Sequence, residues 1–138
     1  AAGRQPGVAD PGAAAAGRKL GLTSIELIEV DERRTAKGDP FLAKVPAGAH
    51  VVTLDERGRA QTSEAFARSL ETLTARAVGD YVLLIGGSNG LTDTAKQAAR
   101  ESLAFGGWTW PHLLVRAMAA EQLYRAVTIL SGHPYHRA

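Results

Sequence analysis

The chain has 138 residues, of which 45% are apolar and 22% charged, and it contains no cysteine. These values fit one soluble domain over residues 1–138, argue against a chain disordered throughout, and remove disulfides and thiolate metal sites. Sixteen basic residues stand against fourteen acidic ones, a net charge of +2, which permits an RNA partner without demanding one.

Ala1 to Gly21 is rich in Gly, Ala and Pro and its pattern defines no firm element. Ile25 to Val30 reads as a strand, because β-branched residues dominate a short apolar run. Asp31 to Gly48 is polar and carries two prolines, so a loop with at most a short helix is expected. Val51 to Leu54 is a second strand, with Asp55 to Gly58 as its turn. Thr62-Ser63-Glu64 supplies an N-cap and an acidic first turn. Phe66, Leu70, Leu73 and Ala77 then recur at helical spacing, and Gly79-Asp80 ends that helix. Tyr81 to Ile85 is apolar at every position, as in a strand covered on both faces. A Gly-rich loop follows, Gly86 to Gly90. Thr92-Asp93-Thr94 caps a helix running to about Leu103. Trp108 to Trp110 is a short strand or extended loop. Pro111 opens a last helix, from His112 to about Leu130. That helix is apolar nearly all round, which points to burial in an interface between two copies of the chain. Apolar stretches are broken by charge well before membrane-spanning length, and a cytoplasmic setting is the default.

Strands alternating with helices imply an α/β fold with a largely parallel sheet. Ligands of such sheets sit at the carboxyl ends of the strands. This directs attention to Leu54-Asp55, the Gly86–Gly90 loop and Trp108 to His112. The glycines suit either a close backbone approach to a ligand or a tight turn. The loop has neither the dinucleotide-binding spacing nor a P-loop Gly-Lys-Ser/Thr. The two indoles would lie on opposite faces of an extended segment, one able to cover an adenine, or both in the core. His112 stands in a first helical turn, where the helix dipole disfavours its cation. It is a candidate base or a surface histidine. Arg116, Glu121 and Arg125 form structural ion pairs or bind an anionic group. His133-Pro134-Tyr135-His136-Arg137 is chemically dense for a terminus and suits proton handling or RNA contact. No carboxylate stands near His133 and His136, so no metal is expected. There is no Cys nucleophile and no Gly-x-Ser-x-Gly elbow.

Five segments occur in register. They are Thr53-Leu54-Asp55, Leu84-Ile85-Gly86-Gly87-x-x-Gly90-Leu91, Thr109-x-Pro111-His112-x-Leu114-Val115-Arg116, Glu121-x-Leu123-Tyr124-Arg125-Ala126 and His133-Pro134-Tyr135-His136-Arg137. Together they resemble the ribosomal RNA large subunit methyltransferase H family of the SPOUT superfamily. The resemblance implies a SPOUT-type parallel sheet flanked by helices, with a C-terminal trefoil knot, an exception to the rule that chains are unknotted. It implies a homodimer, S-adenosylmethionine as cofactor, and methylation of N3 of a pseudouridine in 23S rRNA of the assembled ribosome, with no membrane and no metal. Carried over by position, Leu54, Gly87, Gly107, Trp108, Thr109, Trp110, Pro111 and His112 are the cofactor-binding residues. His112, Tyr135 and His136 are the candidates for taking the proton, with Arg116 stabilising the developing anion. The tail of one subunit is expected to complete the site of the other.

The chain departs from the family in four places. Trp stands where many relatives carry Leu or Ile, Asn89 stands where an acidic residue is frequent, the stretch between Glu29 and Val45 is shorter than the corresponding helix-bearing region, and the N-terminal strand is expected to be incomplete. A non-catalytic RNA-binding or ribosome-assembly dimer of the same fold is the alternative reading. A small nucleotide-binding domain of another class is a third, against which the missing phosphate-loop patterns count.

Overall fold

The computed structural model describes residues 19–22, 24–30, 41–86, 90–132 and 135. Most of the Ala1–Gly21 stretch, Gly87-Ser88-Asn89, and the tail residues His133, Pro134, His136 and Arg137 lie outside the described residues. Among the described residues four strands form one parallel sheet: β1 (Ser24–Val30), β2 (His50–Ala60), β3 (Asp80–Gly86) and β4 (Glu101–Ala104), in the order β1-β3-β2-β4. Among the described residues the helices are α1 (Ser63–Ala75), α2 (Asp93–Ala98) and α3 (His112–Ser131), with a 3-10 turn at Leu42–Lys44. The expected α/β class with a parallel sheet flanked by helices is what the chain forms.

β3 is central, and Tyr81 to Ile85 are all buried. Alternation along the strand divides them between two cores. Tyr81, Leu83 and Ile85 join Phe66, Leu70 and Leu73 of α1 and Ala119, Leu123 and Ala126 of α3. Val82 and Leu84 join Ile28, Val51, Phe41 and Ala95 on the other face. Ser63 at the start of α1 donates to Gln122 Oε1 of α3 at 2.8 Å, which ties the two helices of the larger core together.

Local chemistry sets the helix ends. Thr62 and Thr92 each accept from the amide three residues on, at 3.0 and 3.2 Å, as the sequence predicts for N-caps. α1 ends at Ala75, earlier than Gly79-Asp80 suggests. Val78 N–H reaches Leu73 O and Ala77 N–H reaches Thr74 O, both at 3.0 Å, with Ala77 left-handed at φ 62°. This is a Schellman closure with alanine in the place that usually holds glycine. α3 closes on Gly132, φ 75°.

Three expectations are corrected. Asp55 to Gly58 is not a turn: β2 runs on to Ala60, with a register irregularity between Leu54 and Arg59 against β4. Asp55 to Gly58 form the bulge itself, with Leu54 and Arg59 on either side both paired to Leu103 of β4. The helix from Thr92 stops at Ala98, not Leu103. Ala99 is extended (φ −78°, ψ 141°) and Arg100 N–H donates to Val51 O at 2.8 Å, which turns the chain into β4. Pairing with β2 and burial of Leu103 override the helical preference of this Ala- and Glu-containing stretch. Trp108 to Trp110 forms no strand but an irregular segment leading to α3. Finally, α3 buries only one stripe within this chain, and Leu113, Leu114 and Tyr124 stay exposed.

Candidate active site

The carboxyl ends of β3 and β4, and the middle of β2 where its pairing with β3 stops at Leu54, open into one cleft of about 440 Å3. Leu54, Asp55 and Glu56 come from β2, Ile85 and Gly86 from β3, and Leu103 and Ala104 from β4. Trp108 to His112 form the facing wall, with Val115 behind them. This is where an open parallel sheet binds ligands, and the volume falls in the range of about 300–1,000 Å3 usual for such sites.

The wall is held by two hydrogen bonds. Trp110 Nε1–H donates to Phe105 O at 3.0 Å, closing the 105–110 bend onto itself. The Thr109 hydroxyl donates to a Glu56 carboxylate oxygen, which fastens the wall to β2. The indoles do not point to opposite faces. Trp108 stacks on Trp110 with ring centroids 6.2 Å apart and planes 29° apart. Trp108 is 77% exposed, so core burial is excluded for it, while Trp110 is half-buried. A bend rather than a strand puts both rings on one side, where they stack at the rim. Gly107 is exposed and does not line the cleft.

Gly86 serves a tight turn. A Cβ there would meet the carbonyl carbon of Gly90 at 2.5 Å, so the loop end returns directly over the strand end. Gly90 itself has φ 81°, a region open to glycine at little cost. Gly87, expected to contact the cofactor, lies outside the described residues.

His112 and Arg116 are four residues apart on one face of α3, and both converge on Glu29 of β1. His112 Nε2 is 3.9 Å from Glu29 Oε1, and Arg116 NH1 is 3.9 Å from Glu29 Oε2. The three side chains are each about two-thirds buried and, with Leu27 and Ile85, line a small recess beside the cleft, so His112 belongs to both. Glu29 has no place among the sequence-derived candidates. Its pattern signal was that of an ordinary polar strand residue.

Tyr135 lies elsewhere. Its ring meets Tyr124 edge-on at 4.8 Å, and the Arg125 guanidinium stands 4.9 Å above it. Arg125 in turn donates to Glu121 at 2.7 Å. Tyr124 follows His112 by about 18 Å of helix, so within one chain Tyr135 and His112 do not meet. His136 lies outside the described residues. Glu121–Arg125 is thus an ion pair within one helix, as the bland expectation for these charges had it.

The groups whose ionisation the fold shifts lie at the opposite end of the sheet. Burial raises the Glu26 carboxyl above the usual range, Asp80 raises it further, and Lys44 partly offsets both. Glu26 Oε2 is buried without a hydrogen-bond partner. Burial, then Glu101, pushes the Tyr81 phenol far up. Tyr81 stacks on His50, which sits 2.5 Å from Glu101. Among the described residues no cluster of three or more His, Asp or Glu is placed to hold a metal ion, and no helix is long and apolar enough to cross a membrane.

Comparison with known proteins identifies the family. A family model described as "Predicted SPOUT methyltransferase" matches residues 17–136. A protein of Rhodospirillum centenum called ribosomal RNA large subunit methyltransferase H is 52% identical over 108 residues, covering 78% of this chain and 71% of that one. Its namesake in Caulobacter vibrioides is 48% identical over 127 residues, covering 91% and 82%. That of Rhodopseudomonas palustris is 45% identical over 130 residues, covering 88% and 81%. The family model spans every strand and helix described above, the relatives match most of the chain, and the chain therefore belongs to the SPOUT methyltransferases, in the ribosomal RNA large subunit methyltransferase H family.

Proposed function

We propose that this chain is an S-adenosylmethionine-dependent methyltransferase acting on N3 of a pseudouridine in 23S rRNA of the assembled ribosome. One observation carries the reading: the indole-walled cleft stands at the carboxyl ends of β3 and β4, where β2 leaves its pairing with β3, inside the stretch that the family model matches.

The residues present fit the cofactor. Leu54, Trp108, Trp110 and Pro111 offer an apolar wall for an adenine ring, and Asp55 and Glu56 are carboxylates able to accept from ribose hydroxyls or an ammonium group. When bound, the cofactor supplies an electrophilic sulfonium methyl group. The chain's own residues align the acceptor nitrogen with that group and remove its proton. His112 stands at the junction of the cleft and the charged recess and is, among the described residues, the imidazole that lines the cleft for that proton. Arg116 is placed one turn further along to stabilise the anion that forms when the proton leaves.

Tyr135 and His136 act from the second copy in this reading. Support comes from α3, where Leu113 (68% exposed), Leu114 and Tyr124 leave an apolar face uncovered beside the tail. The reading includes a homodimer packed on that face, a single domain with a C-terminal trefoil knot, and work on ribosomes in the cytoplasm.

The test is methyl transfer from labelled cofactor to ribosomes that lack the modification, with calorimetry for cofactor binding. Incorporation at one pseudouridine N3 is expected. Ribosome binding without cofactor binding would overturn the enzymatic reading in favour of an RNA-binding dimer.

A further inference from the structure

The recess beside the cleft joins a carboxylate, a guanidinium and an imidazole from two elements. Glu29 sits at the carboxyl end of β1, in register with Ile85 of β3. This places its carboxylate beside the β3 end of the cleft. The two oxygens are divided between two partners, Oε1 towards His112 and Oε2 towards Arg116, both at 3.9 Å. That is ion-pair distance, longer than a direct hydrogen bond. The carboxylate therefore acts as a shared anchor for both groups rather than as a bond to either. Without it, an imidazole and a guanidinium would face each other four residues apart on one helix with no anion between them. In a recess about two-thirds buried, such pairing weighs more than on open surface.

We propose that Glu29 is a positioning residue for methyl transfer: its carboxylate, set by β1, holds the His112 imidazole and the Arg116 guanidinium of α3 at the edge of the cofactor cleft. Glu29 itself does not line the cleft, and it acts through the two residues it holds. The inference rests on the methyltransferase reading above.

The experiment compares the full-length wild type with Glu29→Gln, which keeps shape and removes charge, and Glu29→Asp, which keeps charge. Three quantities are measured: kcat and KM on modification-deficient ribosomes, the calorimetric Kd for S-adenosylmethionine, and Tm. For Glu29→Gln, kcat should fall by about 10- to 100-fold, the scale of a misplaced reacting group. Cofactor Kd and ribosome KM should stay within about threefold. Glu29→Asp should recover a large part of kcat. Wild-type kcat in Glu29→Gln overturns the proposal. So does a loss that both variants share equally and that tracks a lower Tm. If the wild type transfers no methyl, the functional reading fails instead. The positioning claim is then judged by side-chain nitrogen NMR. Glu29→Gln should move the His112 and Arg116 signals and leave His50 unmoved, and unmoved His112 and Arg116 signals overturn it.

Discussion

Gly58 lies against the backbone of Leu103, where a Cβ would meet the carbonyl carbon at 2.6 Å and the amide nitrogen at 2.8 Å. The irregular stretch of β2 can approach β4 only because this residue has no side chain, and both strands contribute residues to the cleft wall. Gly58→Ala must push the strands apart, at a cost of about 1–3 kcal/mol, the usual range for overpacking. Thermal unfolding should show a lower Tm, and cofactor affinity should fall with it. An unchanged Tm would mean that the strands part freely.

Trp110 is fixed by its bond to Phe105 O. Trp110→Phe keeps an aromatic ring and leaves that carbonyl without its indole partner. A loss of about 1 kcal/mol is expected, read by calorimetry as roughly a fivefold weaker cofactor Kd. Secondary structure by circular dichroism should be unchanged.

Ala77 holds a left-handed conformation at the Schellman closure of α1. A side chain costs about 1–2 kcal/mol there, and glycine does not incur it. Ala77→Gly should therefore stabilise the protein by about 0.5–1 kcal/mol, despite the added freedom of the unfolded chain. Denaturant unfolding at fixed protein concentration checks this, and a fall in stability would contradict it.

The Glu26 carboxyl is raised, so the folded state favours its protonated form. A raised group stabilises below its unfolded value of 4.5, and that contribution is lost as pH rises through the folded value. Glu26→Gln mimics the protonated form. Its Tm should exceed that of the wild type by roughly 1–3 °C at neutral pH and converge with it near pH 4. An equal difference at both pH values would point away from ionisation.

Leu113 is 68% exposed and Tyr124 49% exposed on α3. Leu113→Asp puts a charge into the proposed dimer face. Sedimentation should show a shift from dimer towards monomer, and methyl transfer should fall steeply because each site loses the other copy's tail. A wild type that sediments as a monomer would remove this face from consideration.

Much of the fold is legible in the sequence where a local signal agrees with tertiary context. The apolar run Tyr81–Ile85 reads directly as the central strand, and Thr62 and Thr92 announce their helices. β4 is not legible. Glu101-Ser102-Leu103-Ala104 contains no β-branched residue and buries only Leu103. Its strand state comes from β2, which lies far away in sequence. The second half of β2 is hidden for the same reason, since Asp55-Glu56-Arg57-Gly58 has turn composition. At the site, motif order locates the Trp108–His112 wall but not its shape, because the stacking of Trp108 on Trp110 depends on the bend before them. Glu29 stays invisible because its meaning lies in two partners more than eighty positions onward, which only the pairing of β1 with β3 brings near.

The strand order also governs how the chain can fold as it is made. β1 and β2 do not pair with each other, and each needs β3, whose first residue stands 56 positions after that of β1. During synthesis neither strand has β3, the described neighbour they share, until it emerges between them, and their edges are exposed to wrong pairing until then. Only then can the sheet close, through contacts that are all distant in sequence and therefore slow to form.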